Sequence, residues 1–141
     1  TKIDNLPHCL QILYCNDNQI TQLDNLPVRL KILHCNGNNI IQLNNLPINL
    51  QILNCSYNQI TWLDNLPHNL KKLVCSCNQI IQLDKLPPNL VELYCSENKI
   101  MQLDNLPPNL KYLDCSYNHL IYNFEPTIEN IQQYKLKKKN K

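Results

Sequence analysis

The stretch LQILNCSYNQITWLDNLP, residues 50–67, is one of six close copies of the same phrase in a chain of 141 residues. Leucine-proline pairs recur every 20 residues, from Leu6-Pro7 to Leu106-Pro107, with no insertion between copies. The shared frame is L-x-x-L-x-C-x-x-N-x-I-x-x-L-x-x-L-P-x-x, and it starts at residues 10, 30, 50, 70, 90 and 110. A fixed period of this length indicates a solenoid, in which each repeat forms one coil.

The side-chain pattern inside each copy predicts a short strand. Leu33 and Cys35 lie two residues apart and therefore point to the same side of an extended segment, whereas His34 points to the other side. One coil alone cannot bury its leucines, isoleucine and cysteine, but stacked coils join them into continuous apolar columns. Because a 20-residue coil has no room for a full helix and carries a proline, its outer side is expected to be extended or turn-like and the curvature shallow.

The frame resembles the leucine-rich repeat, whose signature L-x-x-L-x-L-x-x-N/C-x-L fits all six copies if cysteine takes the third apolar position. The 20-residue unit with its leucine-proline turn is most similar to repeats of secreted bacterial effector proteins, and also to repeat proteins of large DNA viruses. The resemblance implies an α/β-type but mainly β horseshoe with a parallel concave sheet and a stacked asparagine ladder. The residues of that ladder are Asn18, Asn38, Asn58, Asn78, Asn98 and Asn118. Their position after each strand also suits a turn in the left-handed backbone region.

Six of the eight cysteines occupy one inward position of successive coils: Cys15, Cys35, Cys55, Cys75, Cys95 and Cys115. Neighbouring parallel strands hold their Cβ vectors side by side, which suits disulfide geometry poorly, and thiols strung along a line do not converge on a metal ion. We therefore expect a ladder of free, buried cysteines that act as small core residues, with no metal site. Six unpaired thiols favour a reducing compartment, so the predicted location is the cytoplasm.

The sequence carries no recognisable catalytic constellation. The four histidines fall in different positions of the repeat, and Gly37 is the only glycine, so there is no glycine-rich phosphate loop. We predict that the chain is not an enzyme and uses no cofactor. No run of about 18 apolar residues is present, which argues against a membrane-spanning segment.

The variable strand positions of a solenoid lie together on its concave face, where partners bind. There the first coils carry isoleucines beside aromatic residues, and the later coils mix aromatic and charged residues. Aromatic and aliphatic side chains anchor protein interfaces, which predicts a protein-binding face. Its predicted contact residues are Tyr14, Ile32, His34, Ile52, Tyr57, Tyr94 and Tyr112. The alternative is that the isoleucines are present only because β-branched residues favour strands.

Two features lie on the outer side of the coils. Trp62 stands where most copies have glutamine, and it is either a second contact or a half-buried surface residue. Asp24, Asp64, Asp84 and Asp104 precede the leucine-proline turn, where an aspartate suits an Asx-type turn cap.

The repeat pattern fails after Leu120. We predict a solenoid over residues 1–124, a capping segment over residues 125–136 and a basic disordered tail over residues 137–141. Ile128, Ile131 and Tyr134 have the spacing of one face of a short helix that begins near Pro126; a degenerate seventh coil is the alternative. Five lysines after residue 134 exceed the net charge of +2, so the rest of the chain is net negative. Nucleic-acid binding is therefore not expected of the folded part.

These observations predict a recognition module that binds a partner protein through its concave face. A self-associating repeat protein, such as a homodimer joined at the open first coil, is the second hypothesis. The resemblance to effectors implies a third hypothesis, in which the repeats select substrates for a larger ubiquitin-ligase-like protein.

Overall fold

The computed structural model describes residue 3 and residues 5–139 of the chain. Residues 1, 2 and 4 of the predicted solenoid and residues 140 and 141 of the predicted tail lie outside the described residues.

Each of the six repeats contributes one three-residue strand to a single parallel sheet. The strands are β1 Ile12–Tyr14, β2 Ile32–His34, β3 Ile52–Asn54, β4 Lys72–Val74, β5 Glu92–Tyr94 and β6 Tyr112–Asp114. They lie in sequence order, and every paired residue is 20 positions from its partner, as Leu33 is from Leu53. The constant repeat length thus places equivalent residues of all coils in straight columns.

The core lies on one side of this sheet. In the second coil Leu30, Leu33, Cys35 and Ile40 are completely buried, and the equivalent residues of the third and fourth coils are buried to the same extent. The first and third residues of each strand point away from this core, and together they form the concave face. The solenoid with a parallel concave sheet is therefore confirmed.

Asparagine side chains tie each coil to the one before it. Asn58 Nδ2 donates to the backbone carbonyls of Cys35 and Cys55 at 3.0 and 3.1 Å. Its Oδ1 accepts a hydrogen bond from the buried backbone N–H of Ile40 at 2.9 Å. Equivalent bonds are made at Asn38, Asn78, Asn98 and Asn118. Polar backbone groups that the strand-to-turn transition would leave unpaired are satisfied in this way.

The left-handed backbone conformation lies one residue earlier than the sequence predicts. Positive φ angles occur not at the ladder asparagines but at Asp17, Gly37, Tyr57, Cys77, Glu97 and Tyr117. The N–H of Tyr57 donates to the carbonyl of Ser76 in the next coil at 3.0 Å, and the turn at this residue directs the following asparagine inward. Cross-coil hydrogen bonds on both sides hold even a tyrosine in this sparsely populated region.

Turns and irregular segments form the outer side of the coils. Each leucine-proline pair is followed by a tight turn, as in the hydrogen bond from the Leu50 N–H to the Pro47 carbonyl at 3.0 Å. A second left-handed residue lies directly before the leucine-proline pair, at Asn5, Asn25, Asn45 and Asn65. It follows the position at which the sequence predicts an aspartate turn cap. Asp104 accepts a hydrogen bond from the Tyr122 hydroxyl at 2.8 Å, which links the last full coil to the capping region.

The helix α1, Ile128–Lys139, covers the last coil. Ile131 is completely buried, and Tyr122, Phe124 and Tyr134 pack together with ring centroids 4.9 to 5.5 Å apart. The helix continues three residues beyond the predicted boundary at 136, so residues 137–139 are not the disordered tail that the sequence predicts. Leucine and lysine are good helix formers, and lysines at the C-terminal end of a helix interact favourably with its dipole.

Candidate protein-binding face

The concave face has two outward positions for each strand, and its first half is apolar and aromatic. Ile12 and Tyr14 are 47% and 62% exposed, and Ile32 and Ile52 lie beside each other in register on neighbouring strands. The rings of Tyr14 and His34 meet edge to face with centroids 4.8 Å apart. Burial, assisted by the nearby charge of Lys72, lowers the pKa of His34, so this side chain favours its neutral form.

The second half of the concave face carries an ion pair beside an aromatic ring. Lys72 Nζ lies 2.7 Å from a carboxylate oxygen of Glu92 and 5.3 Å from the ring centroid of Tyr94. The hydrogen bond to Glu92 raises the pKa of Lys72. Asp114 accepts a hydrogen bond from the Ser116 hydroxyl at 2.7 Å, which lowers the pKa of this carboxyl. The face therefore changes from apolar to charged between β3 and β4.

The structure places six of the seven predicted contact residues on the strands. Tyr14, Ile32, His34, Ile52, Tyr94 and Tyr112 point outward from β1, β2, β3, β5 and β6. Tyr57 is different, because it follows β3 in the left-handed turn and lies at the edge of the sheet, 65% exposed. Its hydroxyl interacts with Cys77 of the next coil. Partner binding by all seven residues stays a prediction.

The predicted cysteine ladder is a buried column without disulfides. All eight cysteines are free, and six of them are buried in the core position. Burial raises the pKa of Cys55 to about 12 and that of Cys115 to about 11. Cys9 is exposed and Cys77 is partly exposed. The core thiols are therefore protonated at neutral pH and poor nucleophiles.

A second amide ladder, on the exposed side, is absent from the sequence-based predictions. Asn49, Asn69 and Asn89 donate from Nδ2 to carbonyls of the preceding coil at 3.0 to 3.1 Å, and Asn109 does so at 3.5 Å. The recurrence of asparagine just before the first leucine of four copies is the signal that could have revealed it. These bonds hold the turns of neighbouring coils in register.

Three further features were considered as functional sites: Trp62, a metal site and a membrane-spanning helix. Trp62 is 47% exposed on the outer side and is therefore a half-buried surface residue, and its role as a second contact stays a prediction. Among the described residues, no group of three or more histidine, cysteine, aspartate or glutamate side chains could hold a metal ion. In the same part of the chain, no helix has the length and apolar character needed to span a bilayer.

Comparison with known proteins agrees with this geometry. A family model described as Leucine Rich Repeat matches residues 49–68 and 109–131. YopM from Yersinia enterocolitica is similar to the chain with 40% identity and a TM-score of 0.83, over 85% of this chain and 27% of YopM. The leucine-rich-repeat domain of a Shigella effector is 28% identical with a TM-score of 0.76, over 96% of this chain and 60% of that domain.

A third similar structure is the functional domain of InlJ from Listeria monocytogenes, which is described as including a cysteine ladder. It is 31% identical with a TM-score of 0.64, over 88% of this chain and 33% of that domain. No curated protein sequence matches the chain significantly. The chain spans between about a quarter and three fifths of the structures named here.

Proteins of this fold generally work as interaction modules rather than as enzymes. The repeat frame, the six-stranded parallel sheet, the capping helix and the similar structures agree with one another. The chain is a leucine-rich-repeat solenoid whose repeats are similar to those of bacterial effector proteins.

Proposed function

We propose that the chain binds a partner protein through its concave face. The observation that carries this proposal is the apolar and aromatic half of the face, where Ile12 and Tyr14 are exposed on β1 and Ile32 and Ile52 follow Ile12 in register. Clusters of this kind on a folded surface mark interaction sites, because a partner that covers them removes apolar area from water. The charged half, with Lys72 and Glu92 already paired, would then lie at the rim and contribute more to specificity than to affinity.

The test compares capture by the intact chain with capture by an Ile32→Asp, Tyr94→Ala double variant. An Ile41→Asp variant is the matched control, because Ile41 is 60% exposed in an irregular segment outside the sheet. Circular dichroism first establishes that both variants are folded. We expect affinity purification and mass spectrometry of a whole-cell lysate to find a partner that the intact chain and Ile41→Asp retain and the double variant loses. Equal capture by all three proteins would contradict the proposal.

Self-association is the second candidate, and it would use the outer edge of β1. Among the described residues no strand pairs with that edge, and Ile12 and Tyr14 beside it are exposed. Unpaired strand edges pair readily with another chain. Light scattering over a wide concentration range tests this: a concentration-dependent dimer that Ile12→Asp on β1 abolishes would support self-association at this edge, and a monomer throughout would exclude it.

The proposed cellular setting is a reducing compartment. Six buried thiols stacked on neighbouring strands fit a cytoplasmic protein, in which no oxidant forces them into strained disulfides. A substrate-recognition role within a larger ubiquitin-ligase-like effector stays a hypothesis, and it rests on the resemblance alone.

A further inference from the structure

A basic ledge borders the concave face where the chain enters the strands. We define the entry ledge as the four residues before each strand, residues 8–11 of the first coil and their equivalents every 20 positions. It contains Arg29, Lys31, Lys71 and Lys111 and no aspartate or glutamate. The opposite edge, where the chain leaves the strands, carries Asp17 and Glu97 with Lys99 beside them.

Three lysines of the entry ledge have hydrogen-bonded backbones, and their side-chain charges are not neutralised. Each directly precedes a strand, and its backbone N–H donates to a carbonyl of the preceding coil at 2.8 to 2.9 Å. All three side chains are exposed, and no ion pair joins Lys31, Lys71 or Lys111 to another of the described residues. A row of positive charges along one edge of the concave face favours a ligand with negative charges along one flank.

The spacing of these lysines fits the repeat of an α-helix. Lys31, Lys71 and Lys111 are two coils apart, which at the spacing of parallel strands is about 10 Å. Seven residues of an α-helix rise about 10.5 Å and return nearly to the same face, so acidic residues seven positions apart would face successive lysines. One helical turn of about 5.4 Å similarly matches one coil of about 4.8 Å.

An extended ligand does not match this spacing. Three residues of a strand also cover about 10 Å, but alternate side chains of a strand point to opposite faces. A strand laid along the solenoid would therefore direct every second acidic residue away from the lysines. The isoleucines Ile12, Ile32 and Ile52 follow one another at the spacing of single coils, about 4.8 Å. Side chains on one face of an extended ligand are about 6.6 Å apart, so they do not match these isoleucines either.

We propose that the partner segment is an amphipathic α-helix of about 16 residues lying along the solenoid axis. Its apolar stripe covers the apolar half of the concave face on β1–β3, and acidic residues seven positions apart on one flank face Lys31, Lys71 and Lys111. This inference rests on the proposed concave-face recognition and adds the chemistry of the ligand. The helix-in-groove mode of peptide recognition uses the same physics, with apolar anchors on one face of the ligand.

The test uses two displayed peptide libraries selected against the full chain. One presents randomised positions on a helical scaffold, and the other presents linear 16-residue peptides with a central proline. We expect the enriched clones to be helical, with Asp or Glu recurring every seven positions. A Lys31→Glu, Lys71→Glu variant should bind them at least tenfold more weakly, and a Lys85→Glu, Lys99→Glu control, with two equally exposed lysines outside the ledge, should bind them unchanged.

The other outcomes separate the two proposals. Enrichment of linear clones, or helical clones that bind equally to the Lys31→Glu, Lys71→Glu variant, would overturn the helix inference. If either of these kinds of clone binds the intact chain but not the Ile32→Asp variant, recognition by the concave face is supported although the helix inference is wrong. If no clone from either library responds to Ile32→Asp, both proposals fail together.

Discussion

Replacement of Asn58 by alanine is expected to lower the free energy of unfolding by about 3 kcal/mol, because it removes a link between two buried coils. Asn58 makes one hydrogen bond to the N–H of Ile40, which is completely buried, and others to the carbonyls of Cys35 and Cys55. Those carbonyls keep a second asparagine donor, at Asn38 and Asn78, but the Ile40 N–H keeps no other partner. The loss is measured by urea denaturation followed by circular dichroism.

Asn18→Ala is the matched control within the same ladder. Asn18 is exposed on the first coil, and among the described residues its side chain bonds only to carbonyls of its own coil, those of Cys15 and Asn16. Because water can replace these bonds, we expect a loss of about 1 kcal/mol or less. Equal losses in the two variants would mean that the ladder does not connect the coils energetically.

Thiol labelling of the native protein at pH 8 should modify two cysteines quickly, Cys9 and Cys77, and leave the other six until the chain unfolds. Burial raises the pKa of Cys55 to about 12, so only about one molecule in ten thousand carries its thiolate at that pH. Cys9 is exposed, and Cys77 is partly covered and should react more slowly than Cys9. The measurement is the count of fast and slow thiols with a chromogenic disulfide reagent, before and after addition of guanidinium chloride.

Two variants identify the thiols in each class. Cys9→Ser should remove one fast thiol, whereas Cys55→Ser should leave the fast count unchanged and lower only the total released on unfolding. Fast modification of more than two thiols in the folded protein would show that the cysteine column opens to solvent, contrary to the structure.

The candidate face was largely predictable because strand alternation is a local property. Ile32, His34 and Ile52 face outward as their spacing from the buried Leu33 and Leu53 requires. The side-chain contacts between neighbouring coils could not be predicted from the sequence in the same way. The contact of Lys72 with Glu92 and Tyr94 depends on side-chain rotamers across two coils, and the repeat frame does not specify these.

The position of Tyr57 shows a limit of the same reasoning. Asparagine is the residue usually found in left-handed turns, so the sequence favoured that conformation at Asn58. In the structure Tyr57 adopts it, because Asn58 must point inward to bond both coils. A cross-coil hydrogen-bond requirement thus overrides the local preference of the residue.

The sequence by itself determined the 20-residue coil, the buried columns of leucine, isoleucine and cysteine, and the outward face of each strand, because equal repeats can only stack equivalent positions on one another. Only the tertiary structure decided which turn residues are left-handed, that α1 continues to Lys139, and that the amides of Asn49, Asn69 and Asn89 form a second ladder. These features depend on hydrogen bonds and charges between neighbouring coils, and those contacts exist only once the coils have stacked.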